Sequence, residues 1–290
     1  MFDAVPFENR DWRVGFYFNI AHNENKITEM PDNYTEENYT FNNGEYAYRR
    51  EEGRPMGSFY GYRYKGVCQN KDATYARDAD GNVMKDISGN AIVMRNGTAT
   101  IAPGDALYED INHDGVINQY DIVYLGNSNP RFTGGAGVNV SYKQFKLSAI
   151  FYGRYGQDVV NSTRLNNESM RGIDNQSTAV LRRWRNEGDQ TDIPRALYGE
   201  GYNTLGSDRF VEDASYLRLK SLSFNYRLPK KIIQRWGFSN IDVYVTGYNL
   251  FTWTKYTGQD PEVKTENTYA RDSATTPASI QLVAGFNLSF

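Results

Sequence analysis

The chain has 290 residues but only one cysteine and two histidines, and it contains no long apolar run. Cys68 alone cannot close an intramolecular disulfide, and without clustered Cys and His there is no ligand set for a zinc ribbon, a finger or a redox pair. His22 and His113 lie far apart and neither has triad-type neighbours, so hydrolytic chemistry has few candidates. No stretch approaches the ~18 consecutive apolar residues of a spanning helix. That excludes a helical membrane protein but not a membrane barrel, whose strands are only half apolar. Charge of one sign is also missing: 32 Lys+Arg stand against 35 Asp+Glu, a net of −3, so no basic field points to nucleic acid. Met1 to Arg10 has neither the positive region nor the apolar core of a signal peptide. At face value this keeps the chain in the cytoplasm, a conclusion that holds only if Met1 is the true start.

What the sequence has in quantity is aromatic surface. Aromatics make up 14% of residues, mostly 23 Tyr and 15 Phe, too much bulky surface for a disordered chain. Period-2 alternation recurs in separate blocks. Val14, Phe16, Phe18 and Ile20 alternate with Arg13, Gly15, Tyr17 and Asn19. Ala136, Val138, Val140 and Tyr142 are followed, after Lys143-Gln144 alone, by Phe145, Leu147, Ala149 and Phe151, the pattern of a tight hairpin. Leu222 to Leu228, Ile241 to Thr254 and Leu282 to Phe290 complete about six strands with one apolar face.

Short links, Lys143-Gln144 and Pro229 to Asn240, take turns with long ones over residues 31–130, 158–209 and 255–278. Structureless loops beyond ~12–15 residues are uncommon in compact domains and usually functional. Long loops on one side and short turns on the other are the pattern of an outer-membrane barrel. Counted back from a periplasmic Phe290, every long segment falls outside the cell. An antiparallel sandwich gives the same alternation with its apolar faces buried together. The alternative reading is therefore a secreted, calcium-stabilised β-sandwich that binds glycans.

Asp110-Ile111-Asn112-His113-Asp114-Gly115-Val116-Ile117-Asn118-Gln119-Tyr120-Asp121 has the spacing of a calcium loop. A hard cation takes about 6–8 oxygens, and a tightly turned loop aims them at one point. Asp110, Asn112 and Asp114 offer side-chain oxygens, Val116 a carbonyl and Asp121 a last carboxylate, with Gly115 at the sharp turn and Ile117 anchoring the loop to its core. The expected ion is a structural Ca²⁺. The alternative is an Asx-rich turn with no ion. Thr178 to Glu187 spaces Val180, Leu181 and Trp184 for one helix face. Asp260-Pro261-Glu262 reads as a solvated loop, not an acid–base pair, so no enzyme activity is expected.

The C-terminal stretch resembles the signal read by the barrel-assembly machinery, with Gly285, Leu288 and Phe290 in place, departing where Val283 replaces a polar residue. Gly53 to Tyr62, Leu125 to Gly135, Val211 to Lys220, Tyr248 to Tyr256 and Gly258 to Val263 stand in the order of a known family. From about Trp12 to Phe290 the chain resembles the SusC/RagA-type TonB-linked outer-membrane proteins. The resemblance implies an all-β, antiparallel transmembrane β-barrel segment, about six C-terminal strands of a barrel of about 22, located in the cell outer membrane in contact with its lipid. It further implies import of a glycan or peptide substrate under a SusD-like surface lipoprotein, with TonB engaged only through the N-terminal part that this chain does not include. Tyr198, Tyr202, Tyr256 and Tyr269 are the candidate loop aromatics for substrate or partner.

Overall fold

The computed structural model describes residues 2–31, 46, 50–263 and 269–290, and the backbone of 265–266. Part of the first long loop, residues 32–45 and 47–49, therefore lies outside the described residues. Seven strands form one sheet: β1 (Phe2–Glu8), β2 (Trp12–His22), β3 (Phe132–Tyr142), β4 (Phe145–Tyr155), β5 (Tyr216–Arg227), β6 (Asn240–Thr254) and β7 (Gln281–Ser289). Each pairs antiparallel with the next in sequence order, an up-and-down meander. No described helix is long and apolar enough to cross a membrane.

The sequence reading expects six strands, and the seventh is β1. Its Phe2 and Ala4 lie opposite Phe18 and Phe16 of β2, then the register slips before Phe7 meets Val14. Pro6 sits in that slip, on a strand at the edge of the described sheet where a missing N–H is tolerated. The bulge breaks the period-2 pattern that would otherwise reveal the strand.

Short turns gather at one rim. Asn9 caps its own turn, its side-chain oxygen accepting from Asp11 N and Trp12 N at 2.9 and 2.8 Å. The β3–β4 turn needs only Lys143-Gln144, with Lys143 at φ 50°. At the opposite rim the three long loops pack together instead of standing free. One core joins Tyr62, Cys68, Met94, Tyr108 and Ile117 of the first loop to Leu205 of the second. Another joins Phe59 to Val160, Leu165 and Phe210, with Tyr269 of the third loop against it. Ile117 is fully buried, as expected of the loop's anchor.

Two short turns in the first loop repeat at a spacing of eight residues. Asp78 Oδ1 accepts from Asp80 N and Asn82 N, and Asp86 Oδ1 accepts from Ser88 N and Asn90 N. The segments they connect close a ring of backbone hydrogen bonds: Ala76 N to Ile92 O, Ile92 N to Met84 O and Met84 N to Ala76 O, each 2.9 Å. The Asp110–Asp121 loop sits on this ring. A Cβ on Gly115 would stand 3.0 Å from that of Ala76.

The expected helix over 178–187 is a short 3-10 turn, Thr178–Arg182. Val180 is buried, but Leu181 faces solvent and Trp184 lies outside the turn, stacked over Gly104. Three apolar residues at helical spacing do not make a helix when they pack against different neighbours.

Candidate functional surfaces

Strand register sorts the side chains of the sheet onto two faces. Running across the strands, one row holds Trp12, Tyr142, Phe145, Tyr226, Val243 and Phe286. The next holds Val14, Val140, Leu147, Phe224, Val245 and Ala284, and the third Phe16, Val138, Ala149, Leu222, Gly247 and Leu282. Above these lie Phe18, Ala136, Phe151, Leu219 and Phe251, then Ile20, Gly134, Gly153, Leu217 and Trp253. Every position in these five rows is apolar or aromatic, yet the face is open: Phe18, Val138, Phe224 and Val245 are each 40–49% exposed. Among the described residues no second sheet covers it, which contradicts the sandwich reading. Aromatic rings collect at the short-turn end, with Trp12 and Tyr142 4.4 Å apart and Phe145 and Tyr226 4.7 Å apart. Trp253, Phe251 and Phe132 mark the long-loop end. An apolar band between two aromatic girdles is the outer surface of a membrane barrel.

The opposite face carries Arg13, Ser141, Lys146, Asn225 and Tyr244 in one row and Asn139, Ser148, Ser223 and Thr246 in the next. Glycine allows rings to lie flat on this face. A Cβ on Gly137 would fall 2.3 Å from the Tyr17 ring, and one on Gly285 would fall 2.6 Å from the Tyr244 hydroxyl. Aromatic cover of a strand glycine of this kind holds register in curved sheets. A bulge in β5 keeps both Leu219 and Leu222 on the apolar face while inserting Lys220 and Ser221 between them. The Lys220 amine can then reach Glu262, 2.8 Å away.

Glu262 and Asp260 also grip Arg218, whose side chain is 3% exposed, at 2.7 and 2.5 Å. The Arg218 Nε donates to Thr252 Oγ1 at 2.8 Å. Asp260 in turn accepts from Ala278 N and Glu262 N, both at 2.9 Å. Burial works against its charge, but these backbone donors and the guanidinium together hold the Asp260 carboxyl below the ordinary carboxylate range. The Asp-Pro-Glu segment is thus a clamp on the polar face of β5, not a solvated loop. The two loop-facing motifs before and after the calcium-type stretch meet likewise, Ser58 and Phe59 pairing with Asn127 and Gly126. Asp105, fully buried, binds the first loop to the second through Arg195 Nε at 2.7 Å and Asn203 Nδ2 at 3.2 Å.

In the Asp110–Asp121 loop, Asp110 accepts from Asp114 N and Gly115 N at 3.2 and 2.8 Å, and Gly115 turns the chain at φ 80°. Asp114 Oδ1 accepts from Val116 N, and its Oδ2 from the Asn112 amide. The Val116 carbonyl accepts from Asn118 Nδ2 at 3.0 Å. Asp121 is fully buried, its two oxygens accepting from Ile111 N and Asn118 N at 2.8 and 2.9 Å. Burial raises the Asp121 carboxyl pKa; those two amides oppose the shift, and the nearby Asp110 and Asp114 charges add to it. Among the described residues, no Lys, Arg or His pairs with any of these three aspartates, and no three His, Cys, Asp or Glu side chains gather as a metal cluster. A cation here would need Asn112 and the Val116 carbonyl as well.

The four candidate aromatics separate. Tyr198 is 79% exposed. Tyr202 is half-buried and lines an open cleft of about 530 Å³ with Asn96, Asn118 and Tyr120. Tyr269 packs against Phe59, ring centres 5.6 Å apart. Tyr256 is buried, its hydroxyl donating to Asp272 at 2.6 Å, and so cannot reach a ligand. Tyr120, which the sequence reading passes over, is 69% exposed on the same cleft. Its place inside the calcium-type stretch is the signal that could have found it. Gly285 lies under Tyr244, while Leu288 and Phe290 are exposed at the end of β7.

No family model matches the chain. TonB-dependent receptor P3 of Formosa agariphila is 33% identical over 269 residues, covering 89% of this chain and 24% of that protein. TonB-dependent receptor SusC of Bacteroides thetaiotaomicron is 24% identical over 298 residues, covering 99% of this chain and 25% of that protein. The solved structure of the RagAB peptide transporter superposes with a TM-score of 0.69 at 26% identity, over 99% of this chain and 28% of that one. The chain spans about a quarter of the length of the relatives it matches.

Proposed function

We propose, for a chain that belongs to the SusC/RagA-type TonB-dependent receptors, that its seven strands are a section of an importer's wall and its long loops part of the layer that receives the nutrient. The chain lies in the outer membrane and is not an enzyme. The carrying observation is the uncovered apolar face, continuous over seven strands and backed by a polar face. In water such a face would be an aggregation site; against acyl chains it is satisfied, because the strands between the two outer ones pair on both sides in continuous antiparallel ladders broken only at bulges. The two strands at the ends of the sheet, β1 and β7, pair with further wall strands of the same receptor.

The cargo in this reading is an oligosaccharide or a peptide, taken from a SusD-like lipoprotein seated over the packed loops. TonB pulls on parts of the receptor other than this chain, so no residue here is given a role in energy coupling. The barrel-assembly machinery reads Gly285 and Leu288 on β7 and Phe290 just beyond it. Calcium belongs to the loop layer as a stiffener. Asp110, Asn112, Asp114 and Asp121 with the Val116 carbonyl keep the loop spacing that suits a hard cation, and among the described residues no Lys, Arg or His pairs with the three aspartates. Each carboxylate oxygen that accepts an N–H keeps a second lone pair for the ion.

Lipid contact tests the wall. Reconstituted in bilayers with brominated acyl chains, single-tryptophan variants should be quenched at Trp12 and Trp253 on the apolar face, and not at Trp184 in the loop core. Quenching that is equal at all three, or absent at Trp12 and Trp253, would remove the reading.

A further inference from the structure

The apolar face of the sheet is not smooth. Near its long-loop end it holds an open furrow of about 280 Å³, where Gly134 of β3 and Gly153 of β4 lie side by side and Phe18, Ile20, Phe151 and Leu217 line the sides. A Cβ on Gly134 would fall 2.6 Å from the Asn19 carbonyl oxygen, and one on Gly153 would fall 2.8 Å from that of Tyr216. The neighbouring backbone comes so close that only glycine fits, which makes the floor of the furrow main chain that no rotamer can fill. Gly247, the third glycine in the five apolar rows, differs: the Leu250 side chain lies against it.

The position of the furrow decides its occupant. It is continuous with the band that faces acyl chains, and two of its side walls, Ile20 and Leu217, are 65% and 47% exposed. From Ala136 to Phe132 its rows cover four residues, about 14 Å along the strand at ~3.4 Å each. That length fits within one leaflet, about 15 Å of a ~30 Å hydrocarbon core. Long loops mark the outer side of a barrel, so the leaflet is the outer one. At this end the face gains polar tips, since His22 and the exposed Tyr155 flank Phe132 in the next row. The His22 ring stacks on Phe132, centres 4.8 Å apart, and its Nδ1 donates to the Arg131 carbonyl at 2.7 Å, which fixes the ring and leaves Nε2 for another partner. A second copy of the chain would need about 1,000 Å² of contact, more than a furrow of this size supplies. We infer that the furrow is a binding site for one acyl chain of an outer-leaflet lipid, with the ester end of the chain at Tyr155 and His22. Lipid tails are as apolar as leucine, so hydrophobicity does not favour the furrow over the flat wall; contact on three sides does.

The inference rests on the wall reading and can fail apart from it. The whole receptor is reconstituted in vesicles of phosphatidylethanolamine and phosphatidylglycerol with a trace of phosphatidylethanolamine that carries a diazirine on one acyl chain. After irradiation the lipid adducts are mapped by peptide mass spectrometry. Labelling should concentrate on residues 132–136 and 151–155, about fivefold over 138–140 and 147–149 of the same two strands, a preference of about 1 kcal/mol. Ala136→Leu, which fills the floor beside Gly134, and Ile20→Ala, which removes a side wall, should each bring labelling down to the level of the rest of the face. Ala149→Leu, on the same face outside the furrow, should leave the enrichment unchanged. Even labelling along the two strands, or full enrichment in either Ala136→Leu or Ile20→Ala, would overturn the furrow and leave the wall. Protection of the furrow from lipid that is lifted on dilution to single receptors would assign it to a second copy and overturn the lipid site. No lipid adduct anywhere on the face would overturn the wall and the furrow with it.

Discussion

Arg218→Met should release the third long loop from the wall. The Arg218 side chain is 3% exposed and faces Asp260 and Glu262, themselves 16% and 28% exposed. Removing one member of a buried pair costs about 3–5 kcal/mol, because it strands the partner's charge. Two observations place this case at the lower end. Glu262 keeps the Lys220 amine at 2.8 Å, and Asp260 keeps the amides of Ala278 and Glu262. A loss of about 3 kcal/mol in docking corresponds to roughly a hundredfold greater opening of the loop. Hydrogen exchange at Ala278 and Glu262 reads it directly, since both amides are protected only while they donate to Asp260. Arg218→Lys should recover part of the protection, being cationic but unable to span both carboxylates. The pH dependence has a defined sign. The Asp260 pKa is depressed in the folded protein, so its contribution is complete above the ordinary carboxylate range and is lost as pH falls through the lower folded value. Exchange at Ala278 within twofold of the parent in Arg218→Met, or no coupling between Arg218→Met and Asp260→Asn, would refute the clamp.

Val138→Arg should cost about 2–4 kcal/mol of folding into bilayers, measured by urea titration, and Asn139→Arg less than about 1, since an arginine is penalised at mid-depth on the lipid face and tolerated on the lumen face. Asp105→Ala should loosen the first loop from the second by about 3 kcal/mol, seen as raised exchange at Ala102 and Ala106; Arg195 is a third exposed and can turn to water, which keeps the loss at the low end of a buried pair. Replacing Asp110 and Asp114 together by Ala removes the backbone bonds they accept and should lower the melting temperature in chelator, and by clearly more when calcium is present; an equal loss with calcium and with chelator would remove the ion. Because the Asp121 pKa is raised on folding, the chelated loop should lose stability as pH rises from the ordinary carboxylate range through that raised value, and calcium should abolish the trend while releasing protons on binding.

The wall was legible in the sequence because its physics is local. Each strand from β2 to β7 must be apolar every second residue to face lipid, and that pattern survives whatever the loops do. β1 escaped because Pro6 and a register slip put Phe2, Ala4 and Phe7 out of step. The loop layer was legible only in part, because its structure is built from contacts between distant residues. Asp260 and Glu262 look like solvated carboxylates until Arg218, more than forty residues earlier, is brought against them. Tyr256 looks like a free loop ring until Asp272 takes its hydroxyl. The eight-residue spacing of Asp78 and Asp86 is visible in the sequence, whereas the ring of hydrogen bonds among Ala76, Met84 and Ile92 that it serves is not.

The account rests on one face of the sheet lying against lipid, and a nitroxide scan along β3 tests that most directly. With the buried Cys68 replaced by alanine, single cysteines placed from Ala136 to Ser141 carry the label in reconstituted bilayers. Ala136, Val138 and Val140 should collide strongly with oxygen, which concentrates in the acyl region, and weakly with a polar nickel chelate, while Gly137, Asn139 and Ser141 show the opposite preference, a period of two along the strand. A flat profile, or chelate access at Val138 equal to that at Asn139, would contradict the membrane wall.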